Sequence, residues 1–181
     1  PFFFQKPADA LLLDRDFPYP PASRDVHHEV ELVVALQSGG KDIAVSNAAQ
    51  HIYGYAVGID MTRRDLQGEA KKAGRPWEVG KAFDHAAPIG EIIPKAETGV
   101  LERAGISLQV NGTQRQNSDI SQMIWSVPEI ISELSRLFEL HAGDIIFTGT
   151  PSGVGPVQPG DTLHAAIERV GELNLQVYKP S

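Results

Sequence analysis

The sequence predicts an α+β protein built mainly from strands, and three observations predict it. Two apolar runs, HHEVELVVAL (27–36) and YAVGID (55–60), have the length and β-branched content of buried strands. The segment ISLQVNGTQRQ (106–116) alternates apolar and polar residues around Asn111-Gly112, a pair that two-residue hairpin turns favour. Only one long stretch, SVPEIISELSRLFEL (126–140), carries a full helical stripe. Hairpins with a single dominant helix imply mostly antiparallel or mixed sheet.

Taken in order, FFFQK (2–6) reads as a strand stopped by Pro7. Residues 14–24 are rich in Pro and Asp and read as a loop. The run 27–36 is a strand, and Gly39-Gly40 after it suggests a turn. SNAAQHIYGY (46–55) suits a short helix with Ser46 as N-cap, and YAVGID follows as a buried strand ending in a carboxylate. MTRRDLQGEAKKAG (61–74) has helical composition, with Thr62 or Asp65 as caps and Gly74 as a stop. In 126–140, Ser126 is a plausible N-cap and Pro128 lies in the first turn, where its missing N–H costs little. Ile130, Ile131, Leu134, Leu137 and Phe138 form one apolar stripe. GDIIFTGT, DTLHAAIE and ELNLQVYK read as strands and turns around a Gly/Pro-rich loop at 151–160.

The 181 residues suit a single domain, 1–181, able to bury roughly 70% of its unfolded surface. A net charge of −7, from 16 basic and 23 acidic residues, argues against a nucleic-acid or anionic-membrane surface. No apolar run spans a bilayer and no signal-peptide pattern is present, so a cytoplasmic location fits. With no cysteine there is no disulfide and no thiolate metal site. No Walker or dinucleotide pattern fits the glycine-rich TGTPSGVGP. His51, His141 and His164 are isolated and read as structural or solvated, while Trp77 and Trp125 read as core or interface.

The chemistry starts from a conflict inside the first strand. Side chains alternate along a strand, so Glu29 and Glu31 share a face, with His27 on the same parity. Two adjacent carboxylates repel unless a cation, a shared proton or open water intervenes. On the pair alone, a wet strand edge is the simpler reading. The apolar residues 32–36 instead carry the strand inward, and a second apolar strand ends in Asp60. Three carboxylates without soft ligands suit a hard divalent cation, Mg²⁺ or Mn²⁺. Lys81, read without other context, is one lysine among many.

The segments FFFQKP, HHEVEL, GYAVGIDMTRRDLQ, AKKAGRPWEVGKAFD, VNGTQRQ, MIWSVPEIISELS and GDIIFTGTPSGVGPV together resemble the fumarylacetoacetate hydrolase family, in its short acylpyruvate and fumarylpyruvate hydrolase branch. The resemblance covers nearly the whole chain. It implies a mixed β-roll, a barrel-like sheet with peripheral helices, usually dimeric. It implies that Glu29, Glu31 and Asp60 are the metal triad, that Arg64, Gln67 and Thr150 contact substrate, and that Lys81 is the catalytic lysine. His27 is left as a possible support for the metal ligands.

By resemblance, the expected reaction is metal-dependent hydrolysis of the C–C bond of a 2,4-diketo acid, fumarylpyruvate first, within aromatic catabolism. The cation is expected to bind the 1-carboxylate and 2-keto oxygens as Lewis acid and template. Acylpyruvate hydrolysis in general, oxaloacetate decarboxylation and keto–enol isomerisation are alternatives on the same scaffold. A non-catalytic cation-binding dimer is the alternative of another class. Relatives in this branch carry a His and a Glu on an N-terminal lid that supplies the general base. Because the numbering opens on Pro1 rather than Met, such a segment is expected before residue 1.

Overall fold

Every residue from Val30 to Leu36 is buried, and so is every residue of the run Ile52–Ile59 except Tyr53. A run that is apolar on both parities has no wet face and must be covered on both sides. The computed structural model describes residues 1–13 and 16–180. Its strands are β1 (Leu11–Leu12), β2 (Phe17–Pro18), β3 (Val26–His28), β4 (Val30–Leu36), β5 (Ile52–Ile59), β6 (Thr62–Arg63), β7 (Ala87–Pro88), β8 (Ile93–Pro94), β9 (Gly105–Val110), β10 (Thr113–Asp119), β11 (Ile145–Phe147), β12 (Gly155–Val157), β13 (Thr162–Ile167) and β14 (Gly171–Tyr178). Its helices are α1 (Val45–Ala48), α2 (Arg64–Lys72), α3 (Glu78–Lys81), α4 (Lys95–Thr98) and α5 (Val127–Leu137).

The strands form a five-stranded sheet ordered β10-β9-β13-β14-β2, a four-stranded sheet β11-β4-β5-β8, and smaller sheets β12-β3-β6 and β1-β7. β1–β7 and β14–β2 are parallel and the other ladders antiparallel, so the sheet is mixed as expected. The roll stays open: among the described residues no ladder closes a barrel. The main core lies between the large sheets, where Leu32, Val34, Tyr55 and Val57 meet Leu108, Leu163 and Leu175. Val33, Ala56 and Ile89 form a smaller cluster on the other face of β4–β5, under Ile145 and Phe147.

Several expectations shift. Residues 2–6 are not a strand: among the described residues nothing pairs with them, and Phe2 is 69% exposed. Three phenylalanines give β-propensity, but propensity without a partner strand makes no ladder. The strand expected at 27–36 is broken at Glu29 into β3 and β4, which belong to different sheets. The helix expected at 46–55 is only α1 plus a 3₁₀ turn, Ala49–His51, and β5 starts at Ile52. The loop expected at 14–24 contains β2, and its Asp14 and Arg15 lie outside the described residues. The hairpin at Asn111-Gly112 is present, with both residues at positive φ, 52° and 74°. α5 begins after Ser126, whose backbone N–H and hydroxyl both donate to Glu129 Oε2, at 2.8 and 2.7 Å.

Candidate active site

The break at Glu29 sets the site. Leaving β3, the chain passes through Glu29 into β4, and Glu31 is the second residue of that strand, opposite Gly58 of β5. β5 ends at Ile59, and Asp60 N–H donates to Glu29 O at 2.8 Å. One backbone hydrogen bond thus fixes the third carboxylate beside the first. All three are buried, and one ligand oxygen from each lies within 4.8 Å of the others. The same-parity argument therefore holds in its consequence, with the carboxylates turned into the protein rather than to water.

Cations surround them. Lys81 Nζ, at the end of α3, donates to Glu29 Oε2 at 2.9 Å, Asp60 Oδ2 at 2.7 Å and Thr62 Oγ1 at 2.6 Å. Lys6 Nζ lies 2.8 Å from Asp60 Oδ1 and donates to the backbone carbonyls of Lys81 and Ala86. Arg64 Nη2 donates to Glu29 Oε1, and Arg64 Nη1 to Gln67 Oε1 at 2.7 Å. α3 can bring Lys81 in because Gly80 packs on α2: a Cβ there would sit 2.9 Å from Gln67 Cβ. Gly149 N–H donates to Glu31 Oε2 at 2.7 Å.

The electrostatics follow from burial and partners. Burial alone would raise the Glu29 carboxyl, but the Lys81 ammonium and Arg64 outweigh it and hold the group below its ordinary range. Glu31 lacks such a partner. Burial, reinforced by the Asp60 and Glu29 charges and opposed by the Gly149 hydrogen bond, pushes it up to about 8. Burial pulls Lys6 down, against the attraction of Asp60.

The donor set fits a hard divalent ion. It is all oxygen and it converges, and among the described residues the buried Asp60 Oδ1 has no hydrogen-bond partner, only Lys6 Nζ 2.8 Å away as an ion pair. Glu31, which no cation among the described residues contacts, is the carboxylate an added ion would relieve most. Glu29, Glu31 and Asp60 would hold it.

Of the other residues singled out, Lys81, Arg64 and Gln67 all join the cluster. Thr150 adjoins it through Gly149, and its hydroxyl accepts from Gln116 Nε2 at 2.7 Å. His27 does not touch the carboxylates: its Nε2 is 2.9 Å from Asp25 Oδ1, and its Nδ1 is buried without a partner. The sequence reading missed Lys6, Thr62 and Gln116. Lys6 follows an aromatic run that reads as a strand, and nothing in its neighbours marks it as buried. A separate open cleft of about 500 Å³, lined by Asp16, Glu91 and Glu172 among others, contains none of these residues.

A buried triad of hard ligands at the end of a mixed β-roll, interleaved with a lysine and a guanidinium, defines a metal-dependent enzyme. Residues 1–178 match the family described as Fumarylacetoacetate (FAA) hydrolase C-terminal, and the chain belongs to that family. It is 42% identical over 177 residues to a fumarylpyruvate hydrolase of a Ralstonia species, covering 97% of this chain and 92% of that protein. It is 44% identical over 165 residues to oxaloacetate tautomerase YcgM of Escherichia coli, covering 90% of this chain and 75% of the relative. The crystal structure of fumarylpyruvate hydrolase from Pseudomonas aeruginosa in complex with Mn²⁺ and pyruvate superposes with a TM-score of 0.97 at 51% identity, over 99% of this chain and 79% of that one.

Proposed function

We propose that this chain hydrolyses the C–C bond of a 2,4-diketo acid, with fumarylpyruvate, giving fumarate and pyruvate, as the first-choice substrate. The observation that carries the reading is the buried triad with Lys81 Nζ set between Glu29 and Asp60. A divalent ion, Mg²⁺ or Mn²⁺, held by Glu29, Glu31 and Asp60 supplies Lewis acidity to the keto-acid end of the substrate. Arg64, held by Glu29 and Gln67, orients the substrate, and the Thr150 hydroxyl meets its carboxylate. Water adds to the distal carbonyl carbon. The C–C bond then breaks with its electron pair on the pyruvate fragment, and protonation at that carbon completes pyruvate. The Lys81 ammonium, once its carboxylate partners are taken by the ion, stabilises the developing oxyanion.

Oxaloacetate tautomerisation or decarboxylation is the second reading, favoured by the 44% identical tautomerase, and it shares the pyruvate-type enolate. The test is pyruvate release from a panel of acylpyruvates and from oxaloacetate, together with keto–enol interconversion of oxaloacetate followed by ultraviolet absorbance, with Mg²⁺, with Mn²⁺ and with EDTA. Metal-dependent release from fumarylpyruvate is expected. Activity on oxaloacetate alone would move the assignment to the second reading, and activity on neither would leave a cation-binding protein without catalysis.

The water-activating base is proposed to come from a lid segment preceding residue 1. The exposed aromatic edge beside Lys81 supports this. Phe2 stacks edge-on against Trp77 at 5.1 Å, and Phe4 lies 5.2 Å from Lys81 Nζ. Residues 1–181 alone should bind metal and pyruvate yet hydrolyse poorly; full turnover by them would place the base inside the chain, with His27 first in line. A homodimer is also proposed, supported by exposed apolar residues at both ends of α5, Ile124 and Leu137, and sedimentation equilibrium checks it. No helix among the described residues is long and apolar enough to cross a membrane, and a cytoplasmic location is proposed with that support.

A further inference from the structure

A polar residue in the outer half of a hairpin normally faces water, yet Gln116 of β10 is completely buried. The cause is a β-bulge. Gln114 pairs with Gln109, but Gln116 pairs with Leu108, so Arg115 is an extra residue in the ladder. Without it, Gln116 would lie opposite Ser107, on the wetter face of β9. The bulge turns the amide inward, as bulges beside functional sites commonly re-aim one side chain. The displaced Arg115 carbonyl is then covered by Gly153, where a Cβ would come within 2.1 Å of it and where φ is 99°. The loop after β11 is clamped onto the bulge at that glycine.

The amide orientation is fixed by backbone groups that cannot exchange roles. Gln116 Oε1 accepts from Val30 N–H at 3.1 Å, and Gln116 Nε2 donates to the Pro151 carbonyl at 3.0 Å. Two consequences follow. His28 Nδ1, 2.9 Å from Oε1, must carry a hydrogen, so His28 is the Nδ1–H tautomer. Thr150 Oγ1, 2.7 Å from Nε2, must accept, so its own proton is left to be donated elsewhere. Val30 lies between the triad residues Glu29 and Glu31, and Thr150 follows the Gly149 N–H that binds Glu31.

We propose that Gln116 is a positioning residue for the reaction: its amide ties the backbone between the two glutamates to the Thr150 hydroxyl and holds that hydroxyl as a donor toward the substrate carboxylate. The inference rests on the reading that Thr150 meets that carboxylate. A threonine hydroxyl otherwise rotates freely and loses part of its donor strength to other acceptors. Gln116 removes that freedom before the substrate arrives, and it transmits any shift of the ligand strand to the anion site.

The test is a double-mutant cycle on pyruvate binding to the protein saturated with Mn²⁺, using Gln116→Met, Thr150→Val and the pair. Thr150→Val is expected to weaken pyruvate about tenfold, the loss of one hydrogen bond to a charged group. Gln116→Met is expected to weaken it by a comparable factor, and to add nothing in the Thr150→Val background. In steady state, Gln116→Met should raise KM more than it lowers kcat. Equal losses from Gln116→Met in both backgrounds would overturn the proposal, because Gln116 would then act other than through Thr150. An unchanged pyruvate affinity in Thr150→Val would instead overturn the reading of Thr150, and the role of Gln116 with it. If Gln116→Met does not fold, Gln116→Glu carries the same comparison, since it keeps the acceptor for Val30 and His28 and lacks the donor to Thr150.

Discussion

Among the described residues no cation contacts Glu31, and its carboxyl is pushed up to about 8, by burial first and the charge of Asp60 next, with Glu29 adding to it. A carboxyl raised in the folded state binds a proton that the unfolded chain has already lost. Its stabilising contribution is therefore complete below about 4.5, declines as pH rises, and is gone above about 8. Glu31→Gln keeps the volume without the charge, so the metal-free variant should lose less stability than the parent as pH rises from about 4.5 to about 8. Melting both proteins across the range measures the difference, and parallel curves would refute the raised carboxyl. The same variant should bind Mg²⁺ or Mn²⁺ much more weakly, and metal uptake by the parent below pH 8 should release a proton. Calorimetry in buffers of different ionisation enthalpy reads that proton. Lys81 is expected to act twice. Its Nζ bridges Glu29 and Asp60 with the side chain 3% exposed, so Lys81→Met leaves Glu29 to Arg64 and Asp60 to Lys6. Metal-free Lys81→Met should be destabilised by about 1.5–3 kcal/mol, the loss of a hydrogen-bonded charged partner, and Mn²⁺ should restore much of it. Turnover should still fall by about 10²–10³ in the metal-loaded state, which assigns the oxyanion role.

At the scale of elements, the spacing of the carboxylates is the spacing of β4 and β5. Gly58 stands opposite Glu31, and a Cβ there would lie 2.4 Å from Val33 Cγ2 and 2.6 Å from Phe147 Cε1. Both neighbours belong to the small cluster behind the sheet, which has no room to yield. Gly58→Ala should therefore cost about 1–3 kcal/mol by overpacking and, by splaying the pair, weaken Mn²⁺ binding as well. Adding Val33→Ala removes the nearer of the two contacts, leaving that to Phe147, and should recover part of both. Normal melting and normal Mn²⁺ affinity in Gly58→Ala would show that the strand pair does not set the site. The parts of this arrangement that repeat along the chain were legible in the sequence. The apolar runs of β4 and β5, the Asn111-Gly112 turn and the stripe of α5 each signal themselves over several residues, and side-chain alternation alone put Glu29 and Glu31 together. The rest depends on single contacts across long separations. Lys6 reaches Asp60 over 54 positions, from 60 less 6, and no local pattern records it. The bulge at Arg115 shifts parity by one residue, so strict alternation would put Gln116 on the wrong face. Lys81, Arg64, Gln67 and Thr150 came from family resemblance rather than from periodicity, because a buried lysine and an exposed one look alike in sequence.

Across the whole molecule, the site is where separate parts of the chain converge. The N-terminal segment brings Lys6, the β3–β4 junction Glu29 and Glu31, the end of β5 Asp60, α2 Arg64, α3 Lys81, and the loop after β11 Gly149. These elements belong to different sheets or to none, so the charges at their meeting point act on global stability rather than on one hairpin. Without an ion, Lys6, Lys81 and Arg64 serve Glu29 and Asp60 in a space of low polarisability, and Glu31 stays protonated near neutral pH. A divalent ion held by these three carboxylates would bind the folded arrangement and not the unfolded chain, where they are scattered. Mn²⁺ at about one hundred times its dissociation constant should thus add about 2.7 kcal/mol, and raise Tm by about 5–11 °C for a chain of this size. The rise should be logarithmic in Mn²⁺ and shrink in Glu31→Gln, and pyruvate should raise Tm further only when the metal is present. Scanning fluorimetry over a Mn²⁺ series, with and without pyruvate and with EDTA as the zero point, measures each part. A Tm indifferent to Mn²⁺ would mean that the convergent carboxylates are fully served by Lys6, Lys81 and Arg64, and that the site is an ion-pair network rather than a metal centre. A response to Mn²⁺ with none to pyruvate would keep the metal centre and remove the substrate from it.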